Sequence, residues 1–377
     1  MARDRLSARE RRWLVGLGVL YAAVVIPIGV HKGGDVVAEF GQSERLLHLL
    51  PLYPVAPAKG AWWPPFTILG LVPFALVARA SVVLAKAAWA VLNVACLGWS
   101  LAQARRLAAG WLPVAIAVAA VAKPLQSNFE HLNLTPILLA LVVQAAADLD
   151  AGREARAGAW IGLAGAIKAF PALMLVLFLW QRRWRGLAAG LATGAGLTLG
   201  ALLPYGPAGA VRVLGAWLEF DRQRAAVGTL GSQSLAGLGF FFHWPPAAVA
   251  AAALLCLAAL GSALRRPPAT GRALSDVGLA ALAAVLLSPV AWLYYHTLAF
   301  PAWVSALARP APASRGPVRA GVLAVAGLLT SGALTFGLYP DALWFVREPN
   351  YTWGAALLFG VLAAERVRQS PAGGNRL

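Results

Sequence analysis

The chain has 377 residues, of which 60% are hydrophobic and 12% charged, with a formal net charge of +17. A soluble domain carries about 25% charged residues, so a soluble fold is excluded. Nucleic-acid binding is excluded as well. The clusters Arg3 to Arg12, Gln181-Arg182-Arg183-Trp184-Arg185, Arg265-Arg266 with Arg272, Arg309 to Arg319 and Arg366-Val367-Arg368 stand at the ends of apolar segments, where the positive-inside bias places them.

Apolar stretches of about 17–25 residues, the length a bilayer requires, recur along the chain. They are rich in Leu and Ala and lack strict alternation, so they read as helices rather than barrel strands. In chain order they cover 13–30, 62–78, 82–103, 111–125, 132–147, 157–180, 186–203, 246–264, 274–290, 296–308, 320–338 and 351–364. The predicted fold class is all-α: a polytopic transmembrane bundle of about 10–12 membrane helices, forming one integral domain over 1–377. The basic run before Trp13–Val30 reads as a signal anchor, because no small-residue cleavage site follows the long apolar stretch.

Both termini are basic and the segment count is even, so both are expected on the cytoplasmic side. Residues 31–61, 204–245 and 339–350 then form the non-cytoplasmic loops, the first two being expected active-site loops. Leu46-Leu47-His48-Leu49-Leu50 and Ala216-Trp217-Leu218-Glu219-Phe220 read as short amphipathic helices on the membrane surface. Two topologies remain open for the middle. Simple alternation puts Arg105-Arg106 outside, against the charge rule. Alternatively, 62–78 is re-entrant and 157–180 is a hairpin broken near Pro171, which returns Arg105-Arg106 and Arg153–Arg156 to the cytoplasmic side.

Ionisable residues inside apolar stretches are presumptively functional. Asp35, in His31-Lys32-Gly33-Gly34-Asp35 after the first helix, reads either as a general base at the lipid–water boundary or as a solvated loop carboxylate. Lys168, in Gly165-Ala166-Ile167-Lys168-Ala169-Phe170-Pro171, reads as a phosphate-binding cation or as a snorkelling lysine. Polar motifs also occur at Trp62-Trp63-Pro64-Pro65-Phe66, Gln126 to Asn133, Gly231-Ser232-Gln233-Ser234-Leu235 and Ser288 to His296. Cys96 and Cys256 lie in apolar segments and read as small hydrophobes. No spacing typical of metal ligands or of a nucleotide loop is present, so no metal and no cofactor is expected.

The ordered motifs resemble glycosyltransferase family 87, the multispanning group that includes polyprenyl-phosphate-mannose-dependent α-1,2-mannosyltransferases. The resemblance runs from about residue 13 to about residue 310. It rests on Gly34-Asp35 after the first helix, Leu52-Tyr53-Pro54, Trp63-Pro64-Pro65-Phe66, Glu130-His131-Leu132-Asn133, Ala166 to Pro171 with Arg182-Arg183-Trp184-Arg185, Ser232-Gln233-Ser234-Leu235 and Leu287 to Trp292. The chain departs from the family where Glu130-His131 replaces Gly-Gln, Ser232 replaces Asn and Ala291 replaces Ser. The histidine usual after the Trp is Tyr294, with His296 slightly later.

The resemblance implies a GT-C fold with its active site on the non-cytoplasmic face of a bacterial-type plasma membrane. It implies inverting transfer of a hexose, with mannose as the expected sugar, from a polyprenyl-phosphate-linked donor to a glycan or glycolipid acceptor. Asp35 would be the base, and Lys168, Arg222 and Arg224 would meet the phosphate. Trp63, His131, Asn133, Gln233, Tyr294 and His296 would line the sugar site. A transporter or flippase of lipid-linked sugars, and a cell-envelope polymerase or ligase, are the competing classes.

Overall fold

The computed structural model describes residues 6–53, 63–227, 231–265, 271–308, 316–333 and 344–368. Among these residues every regular element is a helix and there is no strand. The all-α polytopic expectation therefore holds.

Helix α1 (Ala8–Lys32) opens on a capping box. The Ser7 hydroxyl accepts from the Glu10 N–H at 3.1 Å, and the Glu10 carboxylate accepts from the Ser7 N–H at 2.8 Å. It leads from an arginine-rich end of the molecule to the opposite end. There α2 (Asp35–Leu47), α3 (Pro65–Gly70) and α4 (Val72–Ala80) stay together. The Ser43 hydroxyl donates to the Ile68 carbonyl at 2.8 Å, and the Arg79 guanidinium forks onto Glu44 at 2.9 and 2.6 Å. That pairing holds the Glu44 carboxyl below its ordinary range. Helix α5 (Val82–Ala108) starts beside them, with Lys86 donating to the Val30 carbonyl, and ends where Arg105 meets Glu10 at 2.7 Å.

The described part of the segment expected at 62–78, α3 and α4, thus does not cross the bundle. It breaks at Leu71 ahead of Pro73, and the nine residues of α4 rise only about 14 Å, too short for a bilayer core. Arg105-Arg106 lies beside the N-terminal basic run, which removes the simple alternation and leaves the re-entrant arrangement.

Helices α6 (Leu112–Ala120) and α7 (Ala122–His131), bent by 61°, return to the far end. α8 (Thr135–Asp150) leads back to the basic turn, where buried Asp148 holds Arg153 at 2.5 Å. α9 (Glu154–Ile167) rises again and stops at Lys168. A 3₁₀ segment Phe170–Leu175 and α10 (Val176–Trp180) then descend. This is the broken hairpin of the second topology. Its break lies at the extended backbone of Lys168, ahead of Pro171.

Helix α11 (Trp184–Leu202) packs against α9 through glycines. A Cβ at Gly158 or Gly162 would run into the backbone of Gly186 or Gly190. Close approach through small residues is the usual device for membrane helices. α11 runs through a 3₁₀ turn, Leu203–Tyr205, into α12 (Gly206–Val227). Ala216 to Phe220 therefore belongs to a long helix rather than a separate surface helix, and no proline follows Pro207 within it. Leu46-Leu47 ends α2 in the same way, leaving only His48 to Leu50 as a turn.

The remaining helices are α13 (Leu235–Phe241), α14 (Pro246–Leu264), α15 (Ala273–Leu287), α16 (Phe300–Leu307), α17 (Gly316–Ser331), α18 (Trp344–Arg347) and α19 (Asn350–Arg368), with a 3₁₀ segment, Leu293–Ala299, before α16. Among the described residues four stretches are long and apolar enough to cross a membrane: Ala8–Lys32, Val82–Ala108, Trp184–Phe220 and Pro246–Leu264. The bent α6–α7 pair makes a fifth. This is fewer than the twelve apolar segments expected, because several of those segments form short interior helices. α15 is the clearest case, being buried on all sides from Ala273 to Leu286.

Near the start of α15, Asp276 accepts from Arg366 of α19 at 2.8 Å and from Gln181 at 2.8 Å. Both charged partners are at most 3% exposed. Breaking such a pair from one side leaves an uncompensated buried charge. Arg366→Ala is expected to destabilise the protein by about 3–5 kcal/mol, read as a lower thermal midpoint in detergent. Asp276→Asn combined with Arg366→Met should recover much of that loss. Cys96 and Cys256 are free and half-buried.

Candidate active site

The far end of the bundle holds a cavity of about 600 Å³. Six elements meet around it. Asp35 is the first residue of α2, where an acidic side chain complements the helix N-terminus. Trp63 precedes α3, His131 ends α7, Asn133 sits in the turn before α8, Lys168 follows α9, and Tyr294 lies in the 3₁₀ segment after α15. All six line the cavity, together with Glu39, Ser127, Gly231 and Trp292.

The glycines before Asp35 explain how α1 reaches this place. A Cβ on Gly29 would lie 2.6 Å from a Leu132 methyl, and one on Gly33 would lie 2.5 Å from Leu132 Cγ and from the Gly29 carbonyl. Leu132 itself adopts left-handed backbone (φ 52°) at the end of α7. The bare glycine face lets α1 close on Leu132, which brings Asp35 next to the Asn133 turn.

That turn is fixed by its own hydrogen bonds. The Asn133 N–H donates to the Asn128 carbonyl and the Thr135 N–H to the Asn128 side-chain oxygen, each at 3.0 Å. The Asn133 side-chain oxygen accepts from the Leu134 N–H at 3.0 Å, so its amide nitrogen points the other way and donates to Asp35 Oδ2 at 3.1 Å. Asn133 is buried, and this contact orients the carboxylate. The Tyr294 hydroxyl approaches the same oxygen at 3.4 Å. His131 Nδ1 lies 2.9 Å from the Ser127 carbonyl. A carbonyl only accepts, so Nδ1 carries the hydrogen. The His131 ring lies 5.8 Å from that of Tyr294.

The opposite wall carries the cation. The Thr67 hydroxyl donates to the Ile167 carbonyl at 2.6 Å and ties α3 to the end of α9. Lys168, 9% exposed, places Nζ 5.4 Å from the Trp63 ring centre and 5.6 Å from that of Tyr295. The Tyr53 hydroxyl donates to the Trp63 carbonyl at 2.7 Å. Burial, with the neighbouring Glu39 carboxylate, pushes that phenol well above its ordinary value, so it stays a donor.

Other expected site residues stand behind or away from the wall. Gln233 is buried, donates to the Glu348 carbonyl at 2.8 Å and accepts from Thr352. The Gln233 N–H pairs with the Ala291 carbonyl at 2.6 Å, and His296 Nε2 donates to the Gln233 carbonyl at 2.8 Å. The Ser-Gln-Ser and Ser-Pro-x-Ala-Trp motifs thus brace each other, and Gly231 and Tyr294 face the cavity from that brace. Arg222 is exposed on α12 and pairs with Glu219 at 2.9 Å, away from the cavity lining. The side chain of Arg224 lies outside the described residues.

Sequence reasoning passed over Glu39. It is 1% exposed, lines the cavity and lies one helical turn after Asp35. The signal was present as an i, i+4 pair of acids on one helix face. Glu130, in the family's Gly-Gln position, turns instead to Lys32 at 3.6 Å. Among the described residues no cluster of three metal-ligating side chains occurs.

The family model of glycosyltransferase family 87 matches residues 62–289, more than half of the chain and a narrower stretch than the motif run suggested. No curated protein and no solved structure matches it. A helical membrane bundle with polar motifs gathered at one end accords with that match. The chain belongs to glycosyltransferase family 87 and is a membrane glycosyltransferase.

Proposed function

We propose that the protein transfers a hexose, mannose, from a polyprenyl-phosphate-linked donor to a glycan or glycolipid acceptor outside the cytoplasm, with inversion, on a GT-C-type scaffold. One observation carries this reading. The carboxylate of Asp35, oriented by Asn133 at 3.1 Å, and the ammonium of Lys168 line the same cavity.

The chemistry follows from that pairing. Asp35 takes the proton of the acceptor hydroxyl as its oxygen bonds to the anomeric carbon. The bond from that carbon to the phosphate oxygen breaks, and the electron pair leaves with the polyprenyl phosphate. This leaving group is already an anion and needs positive charge rather than a proton, which Lys168 supplies. A single attack from the face opposite the phosphate inverts the anomeric centre. Trp63 gives the sugar an apolar wall, and His131, Tyr294 and Glu39 offer hydrogen-bond partners to its hydroxyls.

The charge distribution supports the placing of the site. Arg105, Arg153 and Arg366 gather at the end opposite the cavity, and the positive-inside bias assigns that end to the cytoplasm. The cavity then opens on the non-cytoplasmic face of a bacterial-type plasma membrane. The loops 31–61 and 204–245 contribute Asp35 and Gly231 with its neighbours.

The test is donor selectivity. Purified protein in liposomes, given envelope glycan or glycolipid extract, should form product from radiolabelled polyprenyl-phosphate mannose and none from the free nucleotide sugar. Product from the nucleotide sugar alone would defeat the lipid-donor reading.

A further inference from the structure

A second cavity, of about 1010 Å³, opens at the arginine-rich end, far along the helices from Asp35. It lies where α10 turns into α11 and α14 ends, and it is lined by Trp180, Gln181, Arg182, Trp184 and Arg265 with Leu179. Its walls combine cations with indole rings. Trp180 packs on Gly261 of α14, where a Cβ would lie 3.0 Å from the indole. Trp184 is 58% exposed, at the start of a stretch long and apolar enough to cross a membrane.

The neighbouring charges are already committed. Arg183 pairs with Glu154 at 3.1 Å, and Gln181 donates to Asp276 at 2.8 Å. Arg182 and Arg265 form no ion pair among the described residues, and no acidic side chain lines the cavity. Arg182 is held in left-handed backbone, φ 54°, a region that L residues enter at a cost. The turn fixes this by hydrogen bonds from the Arg182 N–H to the Leu179 carbonyl and from the Arg183 N–H to the Phe178 carbonyl.

We infer that this cavity holds the phosphate of an anionic phospholipid from the leaflet at the arginine-rich end. Two guanidinium groups suit a phosphodiester. The tryptophans and Leu179 suit the glycerol and upper acyl region, where indoles favour the interface. A soluble anion has no use for that apolar wall.

Native mass spectrometry of the full chain, released from nanodiscs of phosphatidylcholine with graded phosphatidylglycerol, tests it. Arg182→Gln with Arg265→Gln should lower apparent affinity for phosphatidylglycerol about thirtyfold, in keeping with two arginines facing anionic lipid. Arg11→Gln with Arg12→Gln, a pair of exposed arginines at the same end, should leave it unchanged. Should the double variant fail to fold, each single variant should lower it about fivefold. Wild-type retention in the double variant would overturn the site. So would an equal loss in the control pair, which would mean diffuse surface charge, or full displacement by inorganic phosphate, which would mean a soluble anion.

Discussion

Replacing Asp35 by Asn is expected to cut turnover by about 10²–10⁴-fold, the range a positioned base contributes, with little change in donor affinity. The substitution keeps the shape and removes the only group in the cavity assigned to accept the acceptor's proton. The contact to Asn133 would become amide to amide, so Asp35→Ala serves as a second variant that leaves no misplaced donor. Initial rates with polyprenyl-phosphate mannose in liposomes give the kcat and KM split. An intact thermal midpoint would show that the loss is chemical. The same variant separates the enzyme from a flippase, because lipid translocation does not need a base and should survive the change. Transfer that persists in Asp35→Asn would remove the base assignment.

Lys168→Met is expected to lower kcat/KM by about 10²-fold, comparable to deleting one preorganised charge partner of a transition state. Methionine preserves much of the apolar stem, so packing against Trp63 and Tyr295 is disturbed less than the charge is. Charge grows on the donor phosphate as its bond to the sugar breaks, so the loss should fall in kcat as well as in KM. Lys168→Arg should restore part of the rate. A snorkelling lysine would give a different result: transfer by Lys168→Met at the wild-type rate, with at most a small change in stability.

The helical class was legible because 60% hydrophobic residues in long Leu- and Ala-rich runs leave few alternatives. The topology of the middle was not. Apolar content cannot distinguish a spanning helix from one that turns back, whereas the contacts of Ser43 with Ile68 and of Arg79 with Glu44 hold α3 and α4 at one end. Hydropathy also cannot separate a lipid-facing helix from an interior one such as α15, since both are apolar all round.

At the site, Asp35, Trp63, His131, Asn133, Lys168 and Tyr294 were singled out from five motifs far apart in the chain, and they share one cavity. Gln233, from the Ser-Gln-Ser motif, and His296, two residues after Tyr294, serve instead as a brace one layer behind, a distinction that needs the pairing of 233 with 291 to be seen. Glu39 was hidden by its setting, Val36-Val37-Ala38-Glu39-Phe40, within a stretch expected to be a loop, where nothing in the sequence signals that the fold buries it. Arg222 attracted a phosphate role by charge alone, and its partner Glu219, three residues earlier, was already visible in the sequence.

A structure of the protein in a nanodisc with a non-hydrolysable polyprenyl-phosphonate mannose tests the central claim most directly, since it does not depend on knowing the acceptor. The phosphonate should lie within hydrogen-bond reach of Lys168 Nζ. The sugar should sit against Trp63, with the open face of its anomeric carbon turned to Asp35 across room for one hydroxyl. A donor bound elsewhere, or one whose phosphonate rather than open face meets Asp35, would contradict the account.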